Sequence, residues 1–149
     1  MDDAYATLIA ELETGGFAEP SDGGWNAEQI AAHVARNHEL LIEVTEAVLA
    51  DEQTGYDNSE FADPRALSRY AASYGGVRGM ADRIAVTAIT LRELAARLEE
   101  RGLVEVPVLI RDGGETAVDQ PMPWGKVLEI DATVHVVRHV AQLRALRPS

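Results

Sequence analysis

The stretch VHVVRHVAQL near the C-terminus places two of the chain's four histidines, His135 and His139, four residues apart. The residues around them are apolar and typical of a buried helix, where an imidazole needs a partner for each ring nitrogen. Side chains four apart lie on one face of a helix. The two histidines therefore either pair with neighbouring groups inside the protein or bind one metal ion together.

A third histidine favours the metal ion. His33 lies at the edge of the apolar stripe of an earlier helix, and Asn37 follows it one turn later. Three imidazoles from two helices can supply three nitrogen ligands and leave positions open for water or substrate, which is typical of catalytic sites. The sequence thus predicts a divalent-metal site formed by His33, His135 and His139.

Other polar residues lie where they could support these ligands. Asp131 and Gln142 flank the histidine pair by about one turn, so either they orient the ligands, as Asn37 would on the earlier helix, or they are solvated. With the pair they form a polar seam, and the apolar stripe beside it is expected to face the core. That stripe consists of Val127, Ile130, Val134, Val137 and Ala141. His38 lies about 140° around its helix from His33, so we expect a surface or supporting position for it.

A few further side chains are candidates for the surroundings of the site. Trp124, Tyr70 and Tyr74 could line its mouth, although aromatic residues at such positions are more often core. Arg138 could bind a carboxylate, or simply be exposed.

Helices would position these residues. The apolar spacing predicts four of them, at about 2–13, 26–50, 64–101 and 125–147. Asn26 and Gln29 form a capping-box pattern at the start of the second helix. The third helix carries a long heptad stripe, and Gly75 and Gly76 within it predict a bend or break.

A different pattern separates the third and fourth predicted helices. LVEVPVLI is rich in β-branched residues and RDGG follows it, which predicts a short β-hairpin or an irregular loop. Pro107, Pro121 and Pro123 should limit regular strand pairing there. We therefore expect a single all-α domain over residues 1–149, an up-down-up-down four-helix bundle with this hairpin between helices 3 and 4.

Composition narrows the possible functions. The chain has 149 residues, no cysteine and a formal net charge of -12 at pH 7. Thiolate ligands and cysteine nucleophiles are therefore excluded, and a surface this acidic disfavours nucleic-acid binding. We expect no membrane partner, because no run approaches the roughly 20 apolar residues that span a bilayer. The acidic start lacks the features of a signal peptide, so a cytoplasmic location is expected.

Several motifs together resemble the DinB-like superfamily, over nearly the whole chain. They are His33 after Trp25-Asn26, the proline-rich segment ending in PMPWG, and the HxxxHxxQL pattern of the last helix. This superfamily includes the metal-binding domain of mycothiol-dependent maleylpyruvate isomerase and the bacillithiol transferases. The resemblance implies a four-helix bundle that holds one divalent metal, usually zinc or nickel, on residues matching His33, His135 and His139.

Two departures from the isomerase refine what the resemblance implies. The isomerase branch has a glutamate at the position of His135, so this chain matches the three-histidine branch instead. The isomerase also carries an additional C-terminal domain, for which no counterpart follows the fourth predicted helix. The resemblance thus implies the metal site without implying maleylpyruvate as the substrate.

The chemistry of such a site suggests a function. Neutral imidazoles leave the charge of the ion uncompensated, so a bound thiol would ionise and the pKa of a bound water would fall toward ~7. We expect an enzyme that activates a low-molecular-weight thiol, such as mycothiol, for attack on a small electrophile. Two alternatives stay open: a hydrolase that uses metal-bound hydroxide, and a non-catalytic metal-binding module that forms a homodimer through the heptad stripe of helix 3.

Overall fold

The structure is a computed structural model that describes residues 2–61, 63–112 and 115–148. These residues form five helices and a three-stranded sheet. The first four helices are α1 (Asp2–Thr14), α2 (Ala27–Leu49), α3 (Pro64–Ser73) and α4 (Gly76–Leu98). The fifth, α5, is continuous from α-helical Trp124–Ile130 through a π-helical turn at Asp131–His135 to α-helical Val136–Ala145. Short 3-10 helices lie at Ser59–Phe61 and Glu99–Leu103.

The strands correct the predicted fold. β2 (Glu105–Asp112) and β3 (Glu115–Pro123) form an antiparallel pair, and β1 (Tyr56–Asp57) joins β2 in parallel. The prediction of an all-α four-helix bundle is therefore wrong: the protein is mostly helical but carries a mixed sheet. The prolines do not prevent the pairing, because Pro107 lies opposite Pro121 and β3 is an edge strand, where proline is tolerated.

Two local predictions about the helices are confirmed. The Asn26 side chain accepts a hydrogen bond from the Gln29 backbone N–H, and the Gln29 side chain accepts one from the Asn26 N–H, both at 2.9 Å. This capping box starts α2. Gly75 and Gly76 have φ angles of 91° and 78°, a left-handed conformation that glycine adopts without strain, and they separate α3 from α4.

The core has two parts, both of which include α2. One joins α2 to α1, α3, α4 and α5, and the other joins α2 to the end of α4, the sheet and the start of α5. Much of the heptad stripe predicted on the third helix lies on α4 and packs in these two core regions. Its buried residues include Ala81, Ile84, Leu91 and Leu98. That stripe is therefore not the free surface expected for a homodimer. No helix in the described part of the chain is both long and apolar enough to cross a membrane.

The apolar stripe expected on the last helix is placed differently. Val134 and Val137 are about half exposed, at 52% and 50%, whereas Val136 and Val140 are buried. The π-turn explains the shift, because the Val136 N–H bonds to the Asp131 carbonyl five residues earlier. Each such turn adds a residue to the helix and rotates every following side chain. His139, which follows the turn, is buried, and so is Asp131 at its start.

Candidate metal centre

Three histidine rings converge between α2 and α5. His33 lies on α2, His135 ends the π-turn, and His139 follows one turn later. The Nε2 atom of His135 is 3.2 Å from that of His33 and 2.9 Å from that of His139. Each residue offers one nitrogen, and the three nitrogens lie within 4.8 Å of one another, so this group could hold a metal ion. The structure thus brings together the three ligands predicted from the sequence.

The other ring nitrogen of each histidine faces an oxygen acceptor. The Nδ1 atom of His33 lies 2.9 Å from the Phe61 carbonyl oxygen. That of His135 lies 2.8 Å from an Asp131 carboxylate oxygen, and that of His139 lies 2.8 Å from the Gln142 amide oxygen. Each Nδ1 therefore carries the proton, and each Nε2 presents a lone pair. Three lone pairs directed at one another repel unless a cation lies between them. The arrangement of the rings therefore fits a divalent metal ion.

Burial keeps the His139 ring uncharged. His33 and His139 are buried, and His135 is partly exposed. Burial, and then the charges of His135 and His33, lower the pKa of His139 to about 3. The His139 ring is therefore neutral near neutral pH, which is the state in which an imidazole binds a metal.

Asp131 is the hub of a buried hydrogen-bond network behind the histidines. Its carboxylate accepts hydrogen bonds from the Tyr5 hydroxyl, from Asn37 Nδ2 at 2.9 Å and from His135 Nδ1. The Asn37 side-chain oxygen in turn accepts from the Tyr56 hydroxyl. The network links α1, α2 and β1 to His135 on α5. Groups from these four elements together fix the direction of the His135 ring.

The charge within this network is held by Asp131. Burial alone would raise the pKa of the carboxyl, but the hydrogen bond and charge of His135, helped by His38 and Tyr5, lower the pKa below its ordinary value. Burial and then the charge of Asp131 raise the pKa of the Tyr5 and Tyr56 hydroxyls. Asp131 is therefore an anion, and both tyrosines remain donors.

The candidate supporting residues differ in how directly they act. Asp131 and Gln142 bind the ligands His135 and His139, whereas Asn37 reaches them only through Asp131. Sequence reasoning missed Tyr5, Tyr56 and the Phe61 carbonyl. A tyrosine within the apolar stripe of α1 was the one signal for Tyr5, since a buried hydroxyl needs a partner. A backbone carbonyl such as that of Phe61 leaves no mark in the sequence.

His38 does not lie on the surface, so that part of its prediction is wrong. The ring is fully buried, its Nδ1 is 2.8 Å from the Thr87 hydroxyl, and its edge packs against Tyr5 with ring centres 4.7 Å apart. Burial lowers its pKa. His38 therefore packs behind the tyrosine that binds Asp131 and lies outside the group of three histidines that could hold an ion.

A cavity of about 1020 Å³ lies beside the three histidines and is lined by them. Its other walls are mostly apolar side chains from the sheet and α5, among them Ile110, Val118, Met122, Val127, Ile130 and Val134. This volume suits a small-molecule ligand. The cavity thus gives the metal centre an open side.

The aromatic residues at the cavity are not those expected. Trp25 and Tyr56 line it, and the ring centre of Trp25 lies 5.0 Å from that of His33. Trp124 is instead fully buried, and its Nε1 donates to the Thr45 hydroxyl at 2.8 Å. Tyr70 and Tyr74 pack against each other and do not line the cavity. Of the two alternatives, Trp124 thus takes the core position, and none of the three residues lines the cavity.

No protein-family model, curated protein or solved structure matches this chain. The resemblance to the DinB-like superfamily therefore stays a prediction from sequence motifs. Function has to be inferred from the metal centre and the cavity themselves.

Proposed function

We propose that this protein is a metal-dependent enzyme that activates a low-molecular-weight thiol for attack on a small electrophile. The observation that carries the proposal is the convergence of three Nε2 atoms at the wall of a cavity of about 1020 Å³. Structural metal sites are closed by four protein ligands, whereas catalytic sites keep a position open. Three histidines beside a cavity belong to the second type.

Zinc or nickel is the ion that we propose for His33, His135 and His139. Imidazole nitrogen suits both metals, and neither needs a thiolate, which this cysteine-free chain lacks. Such an ion, when bound, lowers the pKa of a thiol that takes its open position. The residues of the chain itself orient the three rings through their Nδ1 atoms.

The cavity lining favours thiol chemistry over hydrolysis. Asp131 is the only carboxylate among the described residues that line the cavity, and both of its oxygens already accept hydrogen bonds. Hydrolysis of an ester or amide uses a free acid or base to move protons to the leaving group. Attack by an ionised thiol needs a positioned electrophile and no such group.

Thiol transfer to 1-chloro-2,4-dinitrobenzene tests the proposal. With mycothiol, bacillithiol or glutathione, a sulfur–carbon bond forms, chloride leaves, and the thiol proton passes to solvent. We expect the metal-loaded protein to accelerate this reaction with one of the thiols, and the variant with both His135→Ala and His139→Ala to lose the acceleration together with its metal. Equal rates for the two proteins with every thiol would overturn the proposal.

Two controls make the result specific. Circular dichroism should show that the double variant keeps its helices, and elemental analysis should show that it has lost the ion. An ester substrate supplied without thiol tests the alternative, because thiol-independent turnover that needs the histidines would identify a hydrolase. Metal at full occupancy with neither activity would identify a non-catalytic site.

A further inference from the structure

Basic side chains outnumber acidic ones in the lining of the cavity, in a strongly acidic protein. The lining contains two arginines, Arg111 and Arg138, against the single carboxylate of Asp131. The whole chain carries a formal net charge of -12. The balance of charged side chains around the cavity is thus opposite in sign to that of the whole chain, and a divalent ion on the histidines would add to it. Such a lining favours anionic ligands.

The rest of the lining is suited to an apolar group. Ile110, Val118 and Met122 line it from the sheet, and Val134 lines it from α5, with about half of its surface exposed. Because the Val134 side chain is exposed on the cavity wall, it is not part of the core of the protein. Apolar walls with a few charged groups are the usual composition of a small-molecule site.

Arg138 is the arginine best placed to act with the metal centre. It is adjacent to His139 in sequence, three residues after His135, and one turn after Val134 on the same helix. Arg111 lies on β2, on a different element from all three histidines. The Arg138 guanidinium can bind a carboxylate through two parallel hydrogen bonds.

We propose that this cavity binds an organic carboxylate with an apolar body, the carboxylate on Arg138 and the body against the wall formed by the sheet and Val134. That this ligand is also a reactant rests on the proposed thiol-transfer function. The carboxylate can belong to the electrophile or to a thiol such as glutathione or bacillithiol, both of which carry such groups. Its recognition by Arg138 does not depend on which of them reacts.

Titration calorimetry with three ligands of one shape tests the recognition. These are 4-phenylbutanoate, the neutral 4-phenylbutanamide and the cationic 4-phenylbutylamine. On the wild-type protein we expect the carboxylate to bind at least about tenfold more tightly than the amide, because a hydrogen bond to a charged group is stronger than a neutral one. The amine should bind more weakly than both. Arg138→Gln should reduce the preference for the carboxylate over the amide to about twofold or less.

Arg97→Gln is the matched control, because it removes the same charge from an exposed position on α4 outside the cavity. This variant should keep the wild-type preference. A carboxylate could also bind the ion directly, so each titration is repeated on protein stripped of metal, where the preference must persist. A preference that survives Arg138→Gln, or that needs the metal, would overturn the proposal.

A second pair of ligands separates the two sources of the carboxylate. Glutathione and its diethyl ester are titrated into the wild-type protein and into Arg138→Gln. Weaker binding of the ester, seen only with Arg138 present, would assign the carboxylate to the thiol. A preference confined to the phenyl ligands would assign it to the electrophile. Because these measurements involve no turnover, carboxylate binding without thiol transfer would refute the proposed function alone, and transfer without it would refute this inference alone.

Discussion

The imidazole of His135 and the carboxylate of Asp131 are joined by a hydrogen bond of 2.8 Å within the π-turn of α5. The bond is buried on the carboxylate side, where Tyr5 and Asn37 donate to the same group. A metal ligand and the anion that orients it thus lie on one turn of one helix. The turn that departs from α-helical geometry therefore contains both a candidate metal ligand and the carboxylate that is bonded to it.

Removing the charge of Asp131 should weaken metal binding. Asp131→Asn keeps the size of the side chain but takes away the anion that orients His135, so we expect the metal affinity to fall about 10- to 100-fold. Competition with a chelator measures this. Asp119→Asn, an exposed change on β3, is the control and should leave the affinity unchanged. Equal affinities for the two variants would show that Asp131 does not support the site.

The two tyrosine hydroxyls of the network should contribute to stability without touching the metal. Tyr5→Phe leaves an Asp131 oxygen without its donor and Tyr56→Phe does the same to Asn37, so each should cost about 1–3 kcal/mol of unfolding free energy. Urea unfolding of the metal-free protein measures the cost. Tyr74→Phe, at a site that is 43% exposed, should change stability by less than about 0.5 kcal/mol. A similar small effect of Tyr5→Phe would contradict the role of its hydroxyl.

Acid should release the contact that ties the C-terminal end of α5 to α1. The Glu11 carboxylate accepts from Arg144 Nε at 2.7 Å and from Arg147, and these hydrogen bonds lower its pKa from the ordinary value of 4.5. A pKa that is lower in the folded state contributes stability that is complete above the unfolded value and is lost as the pH falls through the folded value.

The wild-type protein should therefore be more stable than Glu11→Gln at about pH 6, and the difference should shrink as the pH falls toward about 3. Thermal unfolding of both proteins across this range is the measurement. Glu13→Gln, an exposed change on the same helix, should follow the wild-type curve. A difference that stays constant with pH would show that the ionisation of Glu11 is not coupled to folding.

Trp25 should report on occupancy of the metal centre. Its ring centre lies 5.0 Å from that of His33, and the only other tryptophan of the chain, Trp124, is bonded to Thr45 in the core. Titration with Ni²⁺ or Cu²⁺, which quench nearby indole fluorescence, should therefore reduce the emission. Trp25→Phe should remove most of the quenching while metal binding, measured by calorimetry, continues. Undiminished quenching in this variant would place the bound ion elsewhere.

The ligands were predictable because they follow from helical geometry. Four-residue spacing placed His135 and His139 on one face, and the position of His33 on the apolar stripe of its helix directed that residue inward as well. The contacts of Asp131 and Gln142 with these ligands follow from the same periodicity. A break at Gly75 and Gly76 was likewise predictable, since two consecutive glycines in the middle of the predicted helix favour positive φ.

The third strand of the sheet, β1, and the π-turn were not predictable by the same reasoning. β1 is two residues long, too short to leave a pattern, and its pairing with Val108 and Leu109 depends on tertiary contacts. The π-turn has no distinctive residues, so an ideal helical period placed Val134 and Val137 in the core when they are half exposed. Tyr56 was missed as a consequence, because β1 is what brings its hydroxyl to Asn37.

Tyr5 and Asp131 are 126 positions apart along the chain, yet a hydrogen bond joins them behind the three histidines. The carboxylate that orients His135 near the C-terminus is therefore itself held by the N-terminal helix. A protein trimmed of that helix would retain all three histidines and should still bind a metal ion more weakly, because Asp131 would lose one of its donors. The two ends of the chain thus act together at one site.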